Sequence, residues 1–531
     1  MDGRARSVWL PRRGERLAPA VSGLLLALSF PPLHPLVLPF VGLVPFALWV
    51  LALPSDPPGR QAALRGGAVF GSVYFGVLLY WILFALIWYT KLAIVAFVAT
   101  LGVLVGMTMV FAGLLHYGLH SLRAPLWLLL PVTWTALEWI RGHLPSTLAF
   151  PWLGLGSSLT GFPELVGIAE IVGSRGVTFW IVLINAMLAV LVVQFRDRRP
   201  WVRQAVLVSA LLALPMGWGV WRANTLETRP VGRVAVVQPN IAERLKLDGA
   251  VGRDSTFGAL DRLLSGVEPG SADLVVLPEV VLTLFPKADR FSPEMDRVQV
   301  YSRELGVPIV FGGLGFEGTD STGLMPYNSA FVMNPQGLTE FQYDKRYLVP
   351  LAERAPFLPT KIVGLSQYFG AYGIGEGWPL VSVDEASFGV LICYESAYPE
   401  ASRALRLEGA DVLLNITNDA WYGREPMYAR TTALWQHPAH MVMRAIENRV
   451  GVARSANTGI SLFVDPVGHI YSSTSLFQED IRIAEVRTSD VVTFYTRTGD
   501  WVGPACAIAA FFLLLTSTWT VCSLDRPRVV V

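Results

Sequence analysis

The sequence is poor in charged residues. Asp, Glu, Lys and Arg make up 16% of its 531 residues, whereas hydrophobic residues make up 53%. Soluble proteins carry roughly a quarter charged residues, so this deficit indicates a membrane protein. The formal net charge is +1, and the total charge therefore gives no reason to expect a nucleic-acid partner.

Cysteine is also scarce. The chain has three cysteines, and two of them, Cys506 and Cys522, lie in an apolar run near the C-terminus. The polar region therefore has a single thiol, Cys393, and cannot form an internal disulfide. No C-x-x-C pattern occurs, which excludes a zinc ribbon or a thioredoxin-like pair. The question that remains is why the apolar run "FGVLIC" ends on this thiol.

Long apolar runs fill the first 225 residues. Most are long enough to cross a ~30 Å hydrocarbon core, which takes about 20 helical residues. The first run is short and follows "RRGER", but six more come after it and no clear A-x-A site appears, so we interpret it as an uncleaved helix rather than a signal peptide. The runs lie at 17–31, 35–53, 64–87, 91–119, 125–141, 164–194 and 203–221, with an eighth at about 503–523. We predict a transmembrane domain of seven helices over 1–224, and a C-terminal transmembrane helix and cytoplasmic tail over 501–531.

The positions of the arginines predict the orientation in the membrane. With eight crossings, the short segments on one side carry Arg4, Arg6, Arg12, Arg13, Arg16, Arg60, Arg65, Arg196, Arg198, Arg199, Arg203, Arg526 and Arg528. The opposite short loops carry little beyond Lys91 and Arg141. We therefore expect both termini in the cytoplasm, and residues 225–500 on the periplasmic face of a bacterial inner membrane.

Residues 225–500 have a different composition, in which short apolar runs alternate with mixed segments. The runs typical of strands lie at 234–238, 274–279, 308–313, 329–333, 388–393, 411–417, 450–454 and 460–464. Mixed segments at 253–265, 291–305 and 432–449 are typical of helices. This alternation predicts an α/β sandwich whose apolar sheets are buried between layers.

Polar residues with catalytic chemistry stand near three of these segments. "VVLPE" ends on Glu279, "YDKRYLVPLAE" contains Lys345 and Glu353, and "LICYES" contains Cys393. The thiolate is the nucleophilic form of cysteine, and a nearby cation lowers the thiol pKa. Glu279 can accept the thiol proton as a general base. Lys345 and the backbone N–H of Tyr394 can stabilise the oxyanion of a tetrahedral intermediate.

Each of these residues alone has an ordinary structural explanation. A lone buried cysteine is usually an inert small apolar residue. A Glu after "LP" is most often a turn or cap residue, and Lys345 beside Arg346 is typical of a solvated surface. Only the combination favours a catalytic site.

The order and spacing of "LPE", "K…LVP…E" and "CYE" resemble the carbon–nitrogen hydrolase (nitrilase) superfamily, which uses a Glu–Lys–Cys triad on an α/β/β/α sandwich. Within it, "LEWIRG", "FPWLGLG", "YNSAF", "NDAWYG", "RAIENR", "ANTGIS" and "RTGDWVG" are similar to the apolipoprotein N-acyltransferase family. The resemblance covers nearly the whole chain. It implies a polytopic α-helical membrane domain of about eight transmembrane helices, joined to a nitrilase-like α/β/β/α sandwich domain over 225–500.

The resemblance also implies a reaction without cofactor or metal. An acyl chain passes from a phospholipid, chiefly phosphatidylethanolamine, to a cysteine thioester. It then passes to the α-amino group of the diacylglyceryl-cysteine of an apolipoprotein, the last step of bacterial lipoprotein maturation. By motif, Cys393 is the nucleophile, Glu279 the base and Lys345 the oxyanion stabiliser of a monomeric enzyme. The implied supporting residues are Glu353, Tyr394, Glu395 and Trp421.

Membrane-bound substrates place demands on the site. Water must be kept from the thioester, so we expect an apolar chamber at the bilayer surface, with the loops 283–287 and 421–430 as lids dipping toward lipid or as ordinary polar loops. The family often has Trp after the "LK" that follows the first strand of the domain, and Leu247 in "RLKLD" departs from this pattern. This departure puts one aromatic contact to the acyl donor in doubt.

Three other signals favour structure over function. "GLGFEG" (313–318) matches GxGxxG but is followed by turn-like sequence instead of the helix that a dinucleotide site requires. His437 and His440 suggest a metal pair or a Cys–His dyad, but no carboxylate lies at ligand spacing, which favours a plain helical role. Glu138 and Arg141 either line a membrane cavity or pair to fix their helix.

Two other functions compete with acyl transfer. A nitrilase-type amidase with a membrane anchor needs one helix, whereas this sequence predicts eight. A transporter or receptor with an outer sensor domain predicts a symmetric pair of broken helices at mid-membrane, and the sequence has no such pair.

Overall fold

The computed structural model describes residues 16–87, 91, 93–144, 148–246, 248–317, 325–350, 352–354 and 372–524. Several positions with sequence predictions lie outside these residues: Arg4, Arg6, Arg12, Arg13, Leu247, Gly318, Arg526 and Arg528. The first part of the chain is helical and the second part is a mixed α/β domain.

Within the described residues, the helical part begins with nine α-helices. They are α1 (Leu17–Ala27), α2 (Leu38–Val41), α3 (Val44–Leu51), α4 (Pro57–Leu78), α5 (Trp81–Ile87), α6 (Ala93–His120), α7 (Leu126–Gly142), α8 (Ala169–Arg196) and α9 (Val202–Thr225). The start of α4 shows the local chemistry of a helix end. The Asp56 carboxylate accepts a hydrogen bond from the N–H of Gly59 at 2.9 Å. Pro57 has no N–H, but at the first position of a helix that N–H would have no partner within the helix, so the proline is tolerated.

The α/β domain contains two sheets. Its strands are β1 (Arg229–Gln238), β2 (Leu274–Val276), β3 (Ile309–Glu317), β4 (Met325–Asn334), β5 (Gly337–Asp344), β6 (Leu380–Val383), β7 (Ala386–Ile392), β8 (Val412–Thr417), β9 (Gly451–Ala456), β10 (Leu462–Val464), β11 (Ile470–Tyr471) and β12 (Asp480–Thr488). Its helices are α10 (Glu243–Lys246), α11 (Gly249–Leu264), α12 (Pro293–Leu305), α13 (Pro399–Leu407), α14 (Ala433–Asn448) and α15 (Phe494–Thr498). A last apolar helix, α16 (Val502–Leu524), returns to pack against α7.

Both sheets are mixed and six-stranded, in the orders β12-β1-β2-β3-β4-β5 and β11-β10-β9-β8-β7-β6. In β1, Val234 and Val236 belong to the core shared with the second sheet, whereas Ala235 and Val237 belong to the core under α11 and α12. This alternation follows from the two-residue period of a strand covered on both faces. On the far side, α13 packs on β7 and α14 on β9. The domain is therefore the predicted α/β/β/α sandwich.

Only some of the apolar helices are long enough to cross a membrane. Among the described residues, α6, α8 and α9 are long and apolar enough to cross a membrane, and α4 with α5, bent by 52°, adds a fourth if the pair forms one span. Leu17–Ala27, Leu38–Leu51 and Val502–Ser517 are apolar but shorter. With 11 residues, α1 rises only about 16 Å. The eight predicted crossings therefore stay a prediction.

Candidate active site

The thiol of Cys393 lies at the point where β7 ends. Val390, Leu391 and Ile392 are fully buried, and the chain then turns into a short 3-10 helix at Cys393–Ala397. Cys393 has a left-handed φ of +52°. A non-glycine residue in this region carries strain of about 1–3 kcal/mol, which persists only where the surrounding structure holds it. An apolar strand therefore places this thiol at the end of its sheet in a held conformation.

Glu279 lies three residues after the end of β2 and is 5% exposed. Its Oε1 accepts from Asn328 Nδ2 at 2.7 Å and from Lys345 Nζ at 3.3 Å, while its Oε2 accepts the N–H of Asn418 at 2.8 Å. Burial alone raises the pKa of a carboxyl, but Lys345 and these donors outweigh it and hold the pKa of Glu279 below its usual value. The carboxylate is therefore ionised and able to accept a proton.

Lys345 follows directly after β5, and its side chain is fully buried. Nζ donates to Glu353 Oε1 at 2.9 Å and to Glu279 Oε1 at 3.3 Å. Burial lowers the pKa of an ammonium, but the charges of Glu353 and Glu279 outweigh that effect and raise the pKa of Lys345 well above its usual value. The lysine therefore remains a cation inside the protein.

The thiol itself is protonated at neutral pH. Burial is the largest effect on Cys393 and the Glu279 carboxylate adds to it, so the pKa of the thiol is raised despite the opposing charge of Lys345. The sequence suggested a thiolate stabilised by a cation. That cation, Lys345, is present, but burial and the Glu279 charge outweigh its effect on the pKa of the thiol. Attack by this sulfur therefore requires a base that takes its proton, and Glu279 is the ionised carboxylate beside it.

Glu353 and Asn328 complete the polar cluster. Asn328 Nδ2 donates to Glu353 Oε1 at 2.9 Å as well as to Glu279, and Glu353 Oε2 accepts the N–H of Val349 at 2.8 Å. Asn328 lies in β4 and was not predicted as a site residue. Its motif, "YNSAF", was used only for the family resemblance, although it could have indicated a site residue. The predicted supporting residue Glu353 is thus brought into contact with Lys345.

Glu395 lies beneath the site and is fully buried. Its Oε2 accepts the N–H of Ile392 at 2.7 Å, and its Oε1 accepts the N–H of Arg346 and the hydroxyl of Tyr343, both at 2.8 Å. These bonds tie the turn after β7 to the segment after β5, and so fix Cys393 relative to Lys345. Burial raises the pKa of Glu395. This residue therefore braces the site, and its contacts are with backbone N–H groups and the Tyr343 hydroxyl instead of the cavity.

A cavity of about 490 Å³ opens above the polar cluster. On the side of the α/β domain its lining includes Glu279, Asn328, Lys345, Glu353, Cys393, Tyr394, Trp421 and Tyr422. On the helical side it includes Trp81, Ala85, Ala96, Thr100, Val103 and Leu104 of α5 and α6. The cavity is continuous from the thiol to the helices, and the predicted supporting residues Tyr394 and Trp421 lie in its lining. Most of its lining is apolar.

Comparison with known proteins agrees with this architecture. The carbon–nitrogen hydrolase family matches residues 233–495, and the apolipoprotein N-acyltransferase N-terminal domain matches residues 22–187. The apolipoprotein N-acyltransferase of Geobacter metallireducens is 33% identical over 515 residues, which cover 94% of each chain. This chain belongs to the apolipoprotein N-acyltransferase family. It is therefore an acyltransferase within the carbon–nitrogen hydrolase superfamily.

Two further similar proteins have lower sequence identity to this chain. The apolipoprotein N-acyltransferase of Chlorobaculum tepidum is 28% identical over 537 residues, covering 94% of this chain and 96% of that protein. Among solved structures, an amidase from Nesterenkonia sp. AN1 with its active-site cysteine covalently modified is 18% identical, with a TM-score of 0.36 over 51% of this chain and 95% of the amidase.

The two histidines of α14 in this acyltransferase have separate surroundings. His437 Nδ1 lies 2.8 Å from Asp419 Oδ1 and 3.1 Å from Arg454 Nη2, and His437 Nε2 lies 3.1 Å from the carbonyl oxygen of Cys393. His440 packs against Trp152, and its Nε2 has no hydrogen-bond partner within the described part of the chain. His437 thus has the carboxylate partner that its sequence neighbourhood lacked, because Asp419 follows β8 and reaches it across the fold.

Glu138 and Arg141 hold a segment of the acyltransferase near the site. Glu138 Oε1 accepts the N–H of Leu155 at 2.7 Å, and Arg141 Nη1 donates to the carbonyl of Trp152 at 2.9 Å. Trp152 in turn packs in parallel with Tyr394, with ring centroids 6.1 Å apart. Arg141 also lines the cavity. The pair therefore fixes local structure, and its arginine reaches the cavity as well.

The GxGxxG match has a structural explanation in the described residues. Gly313 and Gly315 lie inside β3, which pairs antiparallel with β4. A dinucleotide site places these glycines in a strand-to-helix turn. The geometry here is that of a sheet.

Proposed function

We propose that this acyltransferase moves an acyl chain from a membrane phospholipid, chiefly phosphatidylethanolamine, to the α-amino group of a diacylglyceryl-cysteine that begins an apolipoprotein. The names of the relatives support the acceptor. The cavity from Cys393 to α5 and α6 carries the proposal of a lipid donor. Each CH₂ moved from water into an apolar site is worth ~0.8 kcal/mol, so an apolar path to the thiol favours long acyl chains.

In the first half-reaction Glu279 accepts the Sγ proton while Sγ attacks the ester carbonyl carbon of the phospholipid. Lys345 and the backbone N–H of Tyr394 stabilise the resulting oxyanion. When the oxyanion collapses, the C–O bond of the ester breaks, and the departing alkoxide takes the proton from Glu279. The products are a lysophospholipid and a thioester on Cys393.

In the second half-reaction the neutral α-amine of the acceptor attacks the thioester carbonyl. Glu279 accepts a proton from the attacking nitrogen, and the same donors stabilise the oxyanion. Breakage of the C–S bond releases the Cys393 thiolate, which regains the proton from Glu279. One set of groups thus serves both substrates in turn, and the apolar cavity protects the thioester from water.

The setting that this chemistry requires is a membrane surface. We propose the bacterial inner membrane, a monomer, cytoplasmic termini and a periplasmic catalytic domain over 225–500, between membrane segments at 1–224 and 501–531. The loops 283–287 and 421–430 are proposed as lids. In their support, Thr283 and Trp421 line the cavity, and Met427 and Tyr428 are 79% and 86% exposed.

Intact-mass analysis tests the proposal. Purified protein is incubated with phosphatidylethanolamine of one acyl composition, and we expect a mass increase of one acyl group that hydroxylamine removes and peptide mapping places on Cys393. Cys393→Ser should give no hydroxylamine-labile adduct, whereas the matched variant Cys506→Ser should behave as the wild type. Turnover of a small amide without lipid, and no acyl adduct, would instead favour the membrane-anchored amidase.

A further inference from the structure

One peptide group links the nucleophile to the proposed oxyanion donor. It contains the carbonyl of Cys393 and the N–H of Tyr394. In a planar trans peptide these two groups point in opposite directions. A contact that fixes the carbonyl therefore also fixes the direction of the N–H.

The carbonyl of Cys393 has such a contact. His437 Nε2 donates to it at 3.1 Å, and both residues are buried. Because a carbonyl oxygen only accepts, the proton of this bond belongs to Nε2. The contact matters here because Cys393 has a φ of +52°, a conformation that persists only when its surroundings hold it.

His437 is itself held from behind. Arg454 Nη2 donates to Nδ1 at 3.1 Å and to Asp419 Oδ2 at 2.7 Å, and Asp419 Oδ1 lies 2.8 Å from Nδ1. Thr417 Oγ1 donates to Asp419 Oδ1 at 3.0 Å. All four side chains are essentially fully buried, so the imidazole has little freedom to rotate. The cluster thus connects β8 and β9 to the peptide that follows the nucleophile.

We infer that His437 is a positioning residue that orients the Cys393–Tyr394 peptide so that the N–H of Tyr394 faces the oxyanion. The inference rests on the proposed function, because it assigns a cause to one of the two oxyanion donors. This role differs from that of a metal ligand or of the base in a Cys–His dyad, because the imidazole acts on the backbone carbonyl of Cys393 and not on a metal or on the thiol. Removal of one oxyanion donor costs about 10²–10³-fold in rate.

Two rates measured on the full-length protein separate this role from general support of the fold. Acylation by phosphatidylethanolamine develops an oxyanion. Alkylation of Cys393 by iodoacetamide displaces iodide at a saturated carbon and develops none. We expect His437→Leu to slow acylation at least about tenfold, because the peptide loses its orientation, and to leave the alkylation rate within about threefold of the wild type.

Matched variants complete the test. His437→Gln places an amide donor near the position of Nε2 and should restore most of the acylation rate, whereas His437→Asn is too short and should not. His440→Gln changes the other imidazole of α14 and should acylate as the wild type. If His437→Leu is not recovered as folded protein, the contrast between Gln and Asn decides the question.

Several results would overturn the inference. The first is acylation at the wild-type rate by both His437→Leu and His437→Asn. The second is equal slowing of acylation in His437→Gln and His437→Asn. The third is a parallel loss of alkylation and acylation in His437→Leu. Failure of the proposed function would look different, because the wild type itself would then form no hydroxylamine-labile acyl adduct on Cys393.

Discussion

Replacing Glu279 by Gln removes the proposed base while keeping the size of the side chain. The amide oxygen of Gln can still accept from Asn328 and Lys345, which contact Oε1 at 2.7 and 3.3 Å. The amide cannot take the thiol proton, and its NH₂ group faces the N–H of Asn418. The variant should therefore fold, bind lipid and fail in acylation.

The size of the effect follows from the state of the thiol. A free cysteine has a pKa of about 8.5, and burial and Glu279 raise the pKa of Cys393 above its usual value, so very little thiolate exists at neutral pH. General-base catalysis is worth typically 10²–10⁴-fold. We expect a loss near the upper end, about 10³–10⁴-fold, which corresponds to about 4 to 5.5 kcal/mol in the activation barrier.

A single-turnover assay with a fluorescent phospholipid measures this rate against pH. In the wild type, Glu279 has a lowered pKa and Lys345 a raised one, so both keep their charge and the rate should be nearly flat between about pH 6 and 9. In Glu279→Gln the rate should rise with pH, because only spontaneous ionisation of the thiol remains. Glu340→Gln, on the exposed part of β5, is the matched control. Acylation by Glu279→Gln within about tenfold of wild type at neutral pH would refute the reasoning.

Three further predictions concern other parts of the site. Lys345→Ala should reduce single-turnover acylation at least ~10³-fold, and should lower the melting temperature because breaking a buried ion pair costs about 3–5 kcal/mol; an unchanged acylation rate would remove this lysine from the mechanism. Glu395→Gln should lower the free energy of unfolding by about 1–3 kcal/mol, since a buried N–H loses its acceptor, and equal stability in a denaturant titration would contradict the proposed bracing. Ala96→Trp should fill the cavity beside α6 and slow acylation by phospholipid at least about fivefold, while iodoacetamide alkylation of Cys393 stays unchanged. Its control is Val110→Trp, at a position of α6 that is 50% exposed, and equal acylation rates for the two variants would exclude this path for the acyl chain.

The candidate site residues could be chosen from the sequence because each stands in a short local motif. Glu279, Lys345 and Cys393 each follow a strand, and the structure brings them to one end of the two sheets. Their protonation states were not predictable, because they depend on burial and on neighbours from other strands. The pKa of Cys393 is raised where a cation alone predicted a lowered value. Asn328 and His437 were missed as site residues for the same reason, since their partners lie far away in the chain.

The apolar runs of the sequence predict the centre of the fold. Every strand predicted from an apolar run has a counterpart among β1, β2, β3, β4, β7, β8, β9 and β10. The four strands without a prediction, β5, β6, β11 and β12, are the edges of the two sheets. Edge strands are covered by fewer neighbours and carry more polar residues, so their apolar signal is weak.

Only the tertiary structure decided what the thiol can reach. Sequence periodicity specifies which face of an element is buried, but not which other element covers it. The stacking of two sheets places a carboxylate, an ammonium and a thiol together, and the docking of α5 and α6 extends that site into an apolar cavity. Because these contacts join separate segments of the chain, they follow from packing of the whole chain and not from any single segment.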